Sequence, residues 1–313
     1  MTRAHKPRSG SLQFWPRVRS KRAYANVRAW AKKDKILAFA GYKAGMTHLV
    51  ESNPKSKVAK TTSIPVTIIE CPPLKPLSLR FYKKTYYGSR LVSEILAKNL
   101  NKELSKKITT PKKQKDKVPE NYDYLKLAVY TQPKLTKIGK KKPDIFEMAI
   151  NKDIEEAKKL LESELKLQDV FKSGQFIDAH SITKGKGFQG PVKRFGISLK
   201  SHKSEKKRRA PGNLGSFTPR KTDWRVPQHG QLGYFKRTEY NKMVYLIDSN
   251  PEKINQKGGI KGYGDLKNDF ILIKGSVGGP KKRLIILTET IKNKKDSPAP
   301  EILYISQESK QWK

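Results

Sequence analysis

The stretch SITKGKGFQGPVKR, residues 181–194, decides between two kinds of fold for this chain. Its glycines, Gly185, Gly187 and Gly190, have the spacing of a dinucleotide-binding turn. With Val192 they also have the spacing of a phosphate-covering kinase loop. Either motif would indicate a nucleotide-dependent enzyme. The residues on both sides of the glycines determine whether that hypothesis holds.

The sequence around the glycines lacks the parts that a nucleotide site requires. A strand, QFIDAHSI, precedes them, but Pro191 follows Gly190 and no helical apolar stripe comes after it, so we predict that no helix begins there. A Rossmann fold also needs an acidic residue about 20 positions further on, and Glu205, at that distance, lies among lysines. No HRD-like or DFG triplet and no P-loop sequence occurs. A nucleotide-dependent enzyme that uses the turn at residues 185–190 therefore stays only as the alternative hypothesis.

Residue types that carry catalysis or bind metals are scattered. The five histidines lack Cys or carboxylate partners at metal-ligand spacing, and no nucleophile elbow or paired-carboxylate motif occurs. The single cysteine, Cys71, excludes an internal disulfide and is typical of a small buried hydrophobic residue. We therefore expect no catalytic residue, no metal, no cofactor and no small-molecule substrate.

The net charge of +40, from 68 Lys and Arg against 28 Asp and Glu, indicates the class of partner. Self-repulsion on this scale disfavours a compact monomer, whereas the phosphates of a polyanion neutralise the cations and release counterions. No apolar run approaches the roughly 18 residues of a membrane-spanning helix, and the N-terminus has no apolar secretory core. The composition predicts an intracellular nucleic-acid binder without a membrane partner.

Apolar runs rich in β-branched residues predict strands at both ends of the chain. KILAFAGYKAGMTHLV (35–50) and SIPVTIIE (63–70) precede a proline-rich break. After residue 170 come five short runs separated by Gly, Pro and Asn: SGQFIDAHSIT, NKMVYLI, DFILIKGS, KKRLIILTETI and EILYIS. Such spacing is typical of a β-barrel or sandwich.

The middle of the chain, residues 81–170, has helical periodicity instead. RLVSEILAKNLNKEL (90–104) and NKDIEEAKKLLESELK (151–166) each align apolar residues on one helical face, and the strand YLKLAVYT lies between them. This block predicts an inserted α/β domain. The simplest architecture is mainly β, with a barrel of residues 36–80 and 171–313 interrupted by the insertion.

Two basic segments complete the predicted organisation. Residues 1–35 interleave Arg with aromatic residues, a pattern suited to phosphates and stacked bases, although packing of Trp15 and Trp30 on the protein itself is the alternative. Residues 184–235 show no periodicity, and a structureless loop of that length needs an external partner to order it. Its glycines, which lack a Cβ, allow close approach to phosphates.

Five stretches, in this order, resemble the universal large-subunit ribosomal protein L3 family. They are FAGYKAGMTHLV (39–50), ITKGKGFQGPVKRFG (182–196), PGNLGSFTP (211–219), GQLGYFKRTEYNK (230–242) and KNDFILIKGSVGGPKKR (267–283). The N-terminal RSGSLQFWPR is similar to the arm of the archaeal and eukaryotic branch. The short C-terminus and GNLG look more archaeal than eukaryotic.

The resemblance implies a translation-factor-like β-barrel interrupted by an α/β domain, with long basic N-terminal and central-loop extensions that enter large-subunit rRNA. It implies a non-catalytic structural constituent of the large ribosomal subunit, in the cytoplasm, that supports early assembly and reaches toward the peptidyl transferase centre with its central loop. The expected partners are large-subunit rRNA and other large-subunit proteins, and we expect no homo-oligomer.

The resemblance also implies rRNA contacts at particular residues. The expected contacts are Arg8, Phe14, Trp15, Arg17, Arg19, Lys43, Lys184, Gly185, Lys186, Gly187, Gln189, Lys193, Arg194, His202, Lys203, Arg208, Arg209, Arg220, Arg237, Lys281, Lys282 and Arg283, with Gly215, Ser216 and Phe217 at the loop tip. The family usually has Trp at this tip. Phe217 keeps a stacking ring but lacks the indole N–H donor.

Overall fold

The computed structural model describes residues 7–52, 61–109, 111, 118–151, 153–203, 206–292 and 297–309, and these are mainly β. The strands are β1 Ala38–Ser52, β2 Thr61–Glu70, β3 Lys75–Thr85, β4 Gly88–Leu96, β5 Tyr124–Tyr130, β6 Ile145–Ala149, β7 Phe176–Ile182, β8 Gly185–Gln189, β9 Gly230–Gly233, β10 Lys236–Asp248, β11 Phe270–Lys274, β12 Leu284–Glu289 and β13 Ile302–Ile305. The helices are α1 Ile154–Lys159 and α2 Pro191–Phe195, and 3-10 turns lie at Leu12–Phe14, Lys102–Lys106, Pro133–Leu135, Leu167–Asp169 and Pro251–Lys253. The prediction of a mainly β chain is confirmed. Glu205, the acidic residue at the spacing of a ribose ligand, lies outside the described residues.

The largest sheet has seven strands in the order β12-β7-β10-β11-β2-β1-β13, and β12 also pairs with β1. Its central strands are buried on both faces, because consecutive residues such as Ile68 and Ile69 are both inaccessible to solvent. Strands covered on both faces consist of continuous rather than alternating apolar residues. This explains why SIPVTIIE and DFILIKGS were recognisable as strands, which the structure confirms as β2 and β11.

The middle of the chain forms a four-stranded antiparallel sheet, β4-β3-β5-β6. The prediction of a helix over 90–104 is wrong, because Gly88–Leu96 is strand β4 and only a 3-10 turn follows it. Leu91 and Val92 are exposed, so the apolar spacing that suggested a helical face arises from a strand and a separate turn. The second predicted helix, 151–166, exists only as α1, six residues long.

The chain divides into two compact units. The smaller unit comprises the described residues of Met1–Ala23 and Ile182–Lys236, and it contains β8, β9 and α2. The larger unit comprises those of Tyr24–Ser181 and Arg237–Lys313, and contains both large sheets. Trp30 is half-buried against the core of the larger unit, as the packing alternative for this residue expects.

Candidate nucleic-acid interface

The glycine-lysine stretch forms strand β8, which pairs antiparallel with β9. The register shifts between Gly185 and Phe188, and within this irregularity Gly187 has φ +65°. A Cβ added at Gly187 would meet nothing within 4 Å, whereas one at Gly233 would lie 2.1 Å from the carbonyl oxygen of Lys184. Gly233 therefore permits the close strand pairing, and Gly187 permits the backbone conformation while its side remains open.

A short helix does follow the glycines, so the prediction that none begins there is wrong. Helix α2 starts after Gly190 with Pro191 at its first position, and Gly196, at φ +71°, ends it. The helix has only five residues, and its sequence had no room for an apolar stripe. Gly185 and Gly187 lie within a strand pair rather than at a strand-to-helix turn. The geometry of a dinucleotide turn is therefore not present in β8.

Exposed cations and an exposed ring accompany these glycines. Lys184, Lys186 and Lys193 are solvent-exposed. The side chain of Phe188 is 72 % exposed, and its ring centroid lies 5.2 Å from that of His229. Ammonium groups attract phosphates without regard to sequence, and an open aromatic ring offers a base a stacking surface. These residues have the chemistry of an RNA contact.

An aromatic cluster joins the N-terminal arm to the segment after β8 within the smaller unit. The Trp15 ring stacks on Phe195, with centroids 5.5 Å apart, and meets Trp224 edge-on at 5.4 Å. The Arg17 guanidinium lies 4.2 Å from the centroid of Phe195, and that of Arg8 lies 5.9 Å from the centroid of Trp15. The alternative stated for Trp15, packing on the protein itself, describes its position in this cluster.

Three of the arginines expected to contact rRNA donate hydrogen bonds to main-chain carbonyls of the same unit. Arg194 donates to the carbonyl oxygens of Gln231 at 3.0 Å and Gln228 at 2.9 Å. Arg17 donates to the carbonyl of Arg194, and Arg8 to those of Gly10 and Arg225. Burial lowers the pKa of Arg194 from its ordinary value. Because a guanidinium carries five N–H donors, such residues can brace the backbone and still present donors to a phosphate.

The central loop is almost entirely open to solvent. Of the described residues from 201 to 225, all are exposed except Ala210 and Pro211. Phe217, at the predicted tip, is 76 % exposed, and the guanidinium of Arg220 lies 4.7 Å from its ring centroid. Exposed rings beside cations mark an interaction surface rather than a self-sufficient fold.

The cations of the larger unit that are predicted to contact rRNA differ in their exposure and in their hydrogen bonds. The ammonium of Lys43 donates to the carbonyls of Val277 and Gly279, and its main chain hydrogen-bonds with Arg283 and Lys282. Lys43 thus holds the turn that presents the exposed Lys282. Lys281 donates to the carbonyl of Lys261. Burial lowers the pKa of the half-buried Arg237.

The described residues contain no cluster of three or more His, Cys, Asp or Glu side chains able to hold a metal ion. No helix among them has the length and apolar character required to cross a membrane.

Comparison with known proteins identifies the family. The family model described as ribosomal protein L3 matches residues 1–124 and 110–312. The chain belongs to the ribosomal protein L3 family. It is 43 % identical to large ribosomal subunit protein uL3 of Methanobrevibacter smithii over 99 % of both chains. It is 43 % identical to that of Methanocaldococcus jannaschii, over 99 % of this chain and 98 % of the relative, and 41 % identical to that of Archaeoglobus fulgidus, over 98 % of both. These archaeal relatives agree with the archaeal resemblance of the sequence.

The site of this L3 family member contains aromatic residues that were not among those predicted from the sequence. Phe195 and Trp224 complete the cluster around Trp15, and Tyr234 lies 5.2 Å from the Arg19 guanidinium. Phe188 lies between two selected residues and is the exposed ring of β8. An aromatic residue inside a cation-rich, glycine-rich stretch was the available signal for Phe188. No local signal marks Phe195 or Trp224, because their roles depend on contacts with a distant segment.

Proposed function

We propose that the smaller unit is the principal rRNA-binding surface of this L3 family member. The chain is a structural, non-enzymatic constituent of the large ribosomal subunit in the cytoplasm, and its partners are large-subunit rRNA and other subunit proteins. The exposed central loop carries the proposal, because its uncovered rings and cations need a partner to bury and neutralise them.

The contact residues fall into two groups by their surroundings. The first group is exposed and faces phosphates or bases directly: Lys184, Lys186, Lys193, His202, Lys203, Arg208, Arg209, Phe217 and Arg220. The second group braces the backbone of the smaller unit and holds the first in position: Arg8, Arg17 and Arg194. Lys43, in the larger unit, braces the turn that carries Lys282. Phosphate contacts fix register and affinity, and the rings add stacking on unpaired bases.

The loop supports rRNA structure without supplying a catalytic group. As the family resemblance implies, the protein joins early in subunit assembly and its loop reaches toward the peptidyl transferase centre. The described residues of this basic loop bury little of their own surface, so its contribution should appear only when rRNA is present to bury and neutralise it. The nucleotide-enzyme alternative gains no support from β8, whose glycines are in a strand pair.

The finer architecture is part of the proposal. Strand β12 pairs with both β7 and β1, which supports a translation-factor-like barrel of residues 36–80 and 171–313. The insertion, residues 81–170, would then be largely the antiparallel sheet of β4, β5 and β6 with β3, with little helix. Residues 1–35 and 184–235 would be the two extensions, and the smaller unit contains most of both.

The salt dependence of rRNA binding tests the proposed function. We compare the full-length protein with a triple variant, Lys184→Gln, Lys186→Gln and Lys193→Gln, and with a control triple, Lys98→Gln, Lys102→Gln and Lys106→Gln. Both sets are exposed lysines, and the control set lies in the larger unit. The first triple should flatten the log–log slope by about two to three, since each phosphate contact contributes about 0.7–0.9. Equal slopes for all three proteins would contradict the proposal.

A further inference from the structure

The turn between β3 and β4, in the larger unit, contains two tyrosines whose side chains bury almost none of their surface in the protein. Tyr86 and Tyr87 are the two residues of this hairpin turn, between the paired residues Thr85 and Gly88. Their side chains are 96 % and 95 % exposed. The two rings contact each other edge-on, with centroids 5.2 Å apart and planes at 87°. They form a protruding aromatic pair that buries almost no surface in the protein.

The turn itself does not require tyrosine. Two-residue hairpin turns favour Asn, Asp and Gly, because these adopt the required backbone conformations at little cost. Here Gly88 adopts a φ of +123°, which glycine tolerates at little cost. The Thr85 hydroxyl donates a hydrogen bond to the Gly88 carbonyl at 2.6 Å. The turn chemistry is therefore supplied by the flanking residues. Both large rings are therefore open to a partner.

The strands below the turn carry unbalanced positive charge. Lys83 lies directly opposite Arg90 in the β3–β4 register, and both are exposed. Like charges at directly opposed positions destabilise a strand pair. Within the part of the chain that the structure describes, neither has an acidic partner; the nearby carboxylate of Asp123 accepts from the main-chain N–H of Lys84. An anion bound between Lys83 and Arg90 would remove their repulsion.

We propose that this hairpin tip is a separate rRNA-binding site. Tyr86 and Tyr87 stack on unpaired bases, and Lys83 with Arg90 holds an adjacent phosphate. Charge complementarity favours RNA as the partner, because the tip combines two neighbouring cations, Lys83 and Arg90, with exposed aromatic rings. The inference rests on the proposed function, since the RNA is that of the large subunit. The other possible occupant is a protein strand added to β4, which is an edge strand with exposed Leu91 and Val92.

Ring-deleting and ring-keeping variants separate stacking from structure. We measure the affinity of full-length protein for large-subunit rRNA, and map ultraviolet crosslinks in assembled subunits. Tyr86→Ser with Tyr87→Ser should weaken binding at least about fivefold and abolish crosslinks at the tip. Tyr86→Phe with Tyr87→Phe should keep both. Tyr304→Ser, at an exposed tyrosine of β13, is the control and should change neither. The unfolding midpoint should not change in the double variants, since the rings bury almost nothing.

Reversing the charge of Lys83 should change hairpin stability and rRNA binding in opposite directions, which a purely structural role of Lys83 would not produce. Lys83→Glu places an acid opposite Arg90, so it should stabilise the free hairpin while weakening rRNA binding. Unchanged affinity and crosslinks in the Ser double variant, or crosslinks from the tip to protein instead of rRNA, would overturn the inference. If those results are found while the variant with Lys184→Gln, Lys186→Gln and Lys193→Gln still shows a weaker salt dependence of rRNA binding, only the hairpin site is contradicted. If the unaltered protein does not bind rRNA, the proposed function fails first.

Discussion

Trp15 stacks on Phe195, joining the N-terminal arm to the segment after β8, with ring planes inclined by 24°. The Arg17 guanidinium covers the same phenyl ring at 4.2 Å. The arm is thereby fixed to helix α2, which follows the glycine-lysine strand, within the smaller unit. A surface that is ordered before binding loses less conformational entropy when RNA arrives, and that difference appears as affinity.

A double-mutant cycle should detect the ring contact. Trp15→Ala and Phe195→Leu should each loosen the arm, and their combined effect on the free energy of unfolding should be smaller than the sum by about 0.5–1.5 kcal/mol. Val18→Ala, at an exposed arm position, should not couple to Phe195→Leu. Thermal unfolding provides the energies. Strictly additive effects of Trp15→Ala and Phe195→Leu would show that the stacking does not hold the arm.

Gly233, in β9, and Gly190, the residue after β8, should respond differently to substitution by alanine. Gly233→Ala places a Cβ 2.1 Å from a main-chain oxygen at φ +71°, so the β8–β9 pairing should weaken by about 1–3 kcal/mol. Gly190→Ala, at the residue after β8, meets no atom within 4 Å and has an extended backbone with φ −71° and ψ 164°, so the β8–β9 pairing should be nearly unchanged. Hydrogen exchange of the β8 and β9 amides is the measurement. Equal protection in the two variants would contradict the register.

The strands of the large sheet were predictable because their residue types indicate both burial and an extended conformation. The runs that became β2, β11 and β12 combine β-branched residues with a nearby glycine or proline, and the run that became β1 is apolar and contains two glycines. The region of β4 was not predictable in the same way. Its apolar residues include exposed Leu91 and Val92, so their spacing reflects neither a helical face nor a core-facing strand.

Only part of the candidate nucleic-acid interface could be predicted from the sequence. Charge, glycines and aromatics predicted which segments suit RNA, but β8 and β9 contain GKGFQ and GQLG, which lack any apolar alternation. The sequence also could not distinguish exposed Lys184 from Arg194, whose guanidinium binds carbonyls of its own unit. Such assignments depend on contacts between distant segments, which no local pattern encodes.

The pH dependence of stability should depend on Glu147, in the sheet of β3 to β6. Burial alone would raise the pKa of its carboxyl, but hydrogen bonds from Tyr82 and Arg80 and the charge of Lys126 hold this pKa below its usual range. A carboxyl with a lowered pKa in the folded state stabilises above its unfolded value, about 4.3, and this contribution is lost as the pH falls through the folded value. Burial and the bond to Glu147 raise the pKa of Tyr82 to about 12.

The Glu147→Gln variant should therefore have a lower unfolding midpoint than the unaltered protein at neutral pH, and the difference should shrink below about pH 4.3. Glu155→Gln, at an exposed position of α1, is the control and should show no such convergence. Thermal unfolding from pH 7 to pH 3 measures both. A difference that stays constant across this range would contradict the role of the ionised carboxylate.

Deletion of residues 200–220 should separate folding from function. The described residues of this segment are mostly exposed and bury little, so the free energy of unfolding should change by no more than about 0.5 kcal/mol. Incorporation into large subunits, or peptidyl transfer by those subunits, should fall. Leu214→Ser, which leaves the loop and its ring in place, is the control. Normal subunit profiles together with normal peptidyl transfer in the deletion would contradict the role of the loop.

The central claim is that the protein sits in the large subunit with its glycine-lysine strand and central loop on rRNA. Ultraviolet crosslinking of purified large subunits, with identification of the crosslinked peptides, tests this claim most directly. We predict that the protein cosediments with large subunits and that residues 184–220 supply crosslinked peptides. Absence of the protein from large subunits, or crosslinks that never involve residues 184–220, would contradict the account.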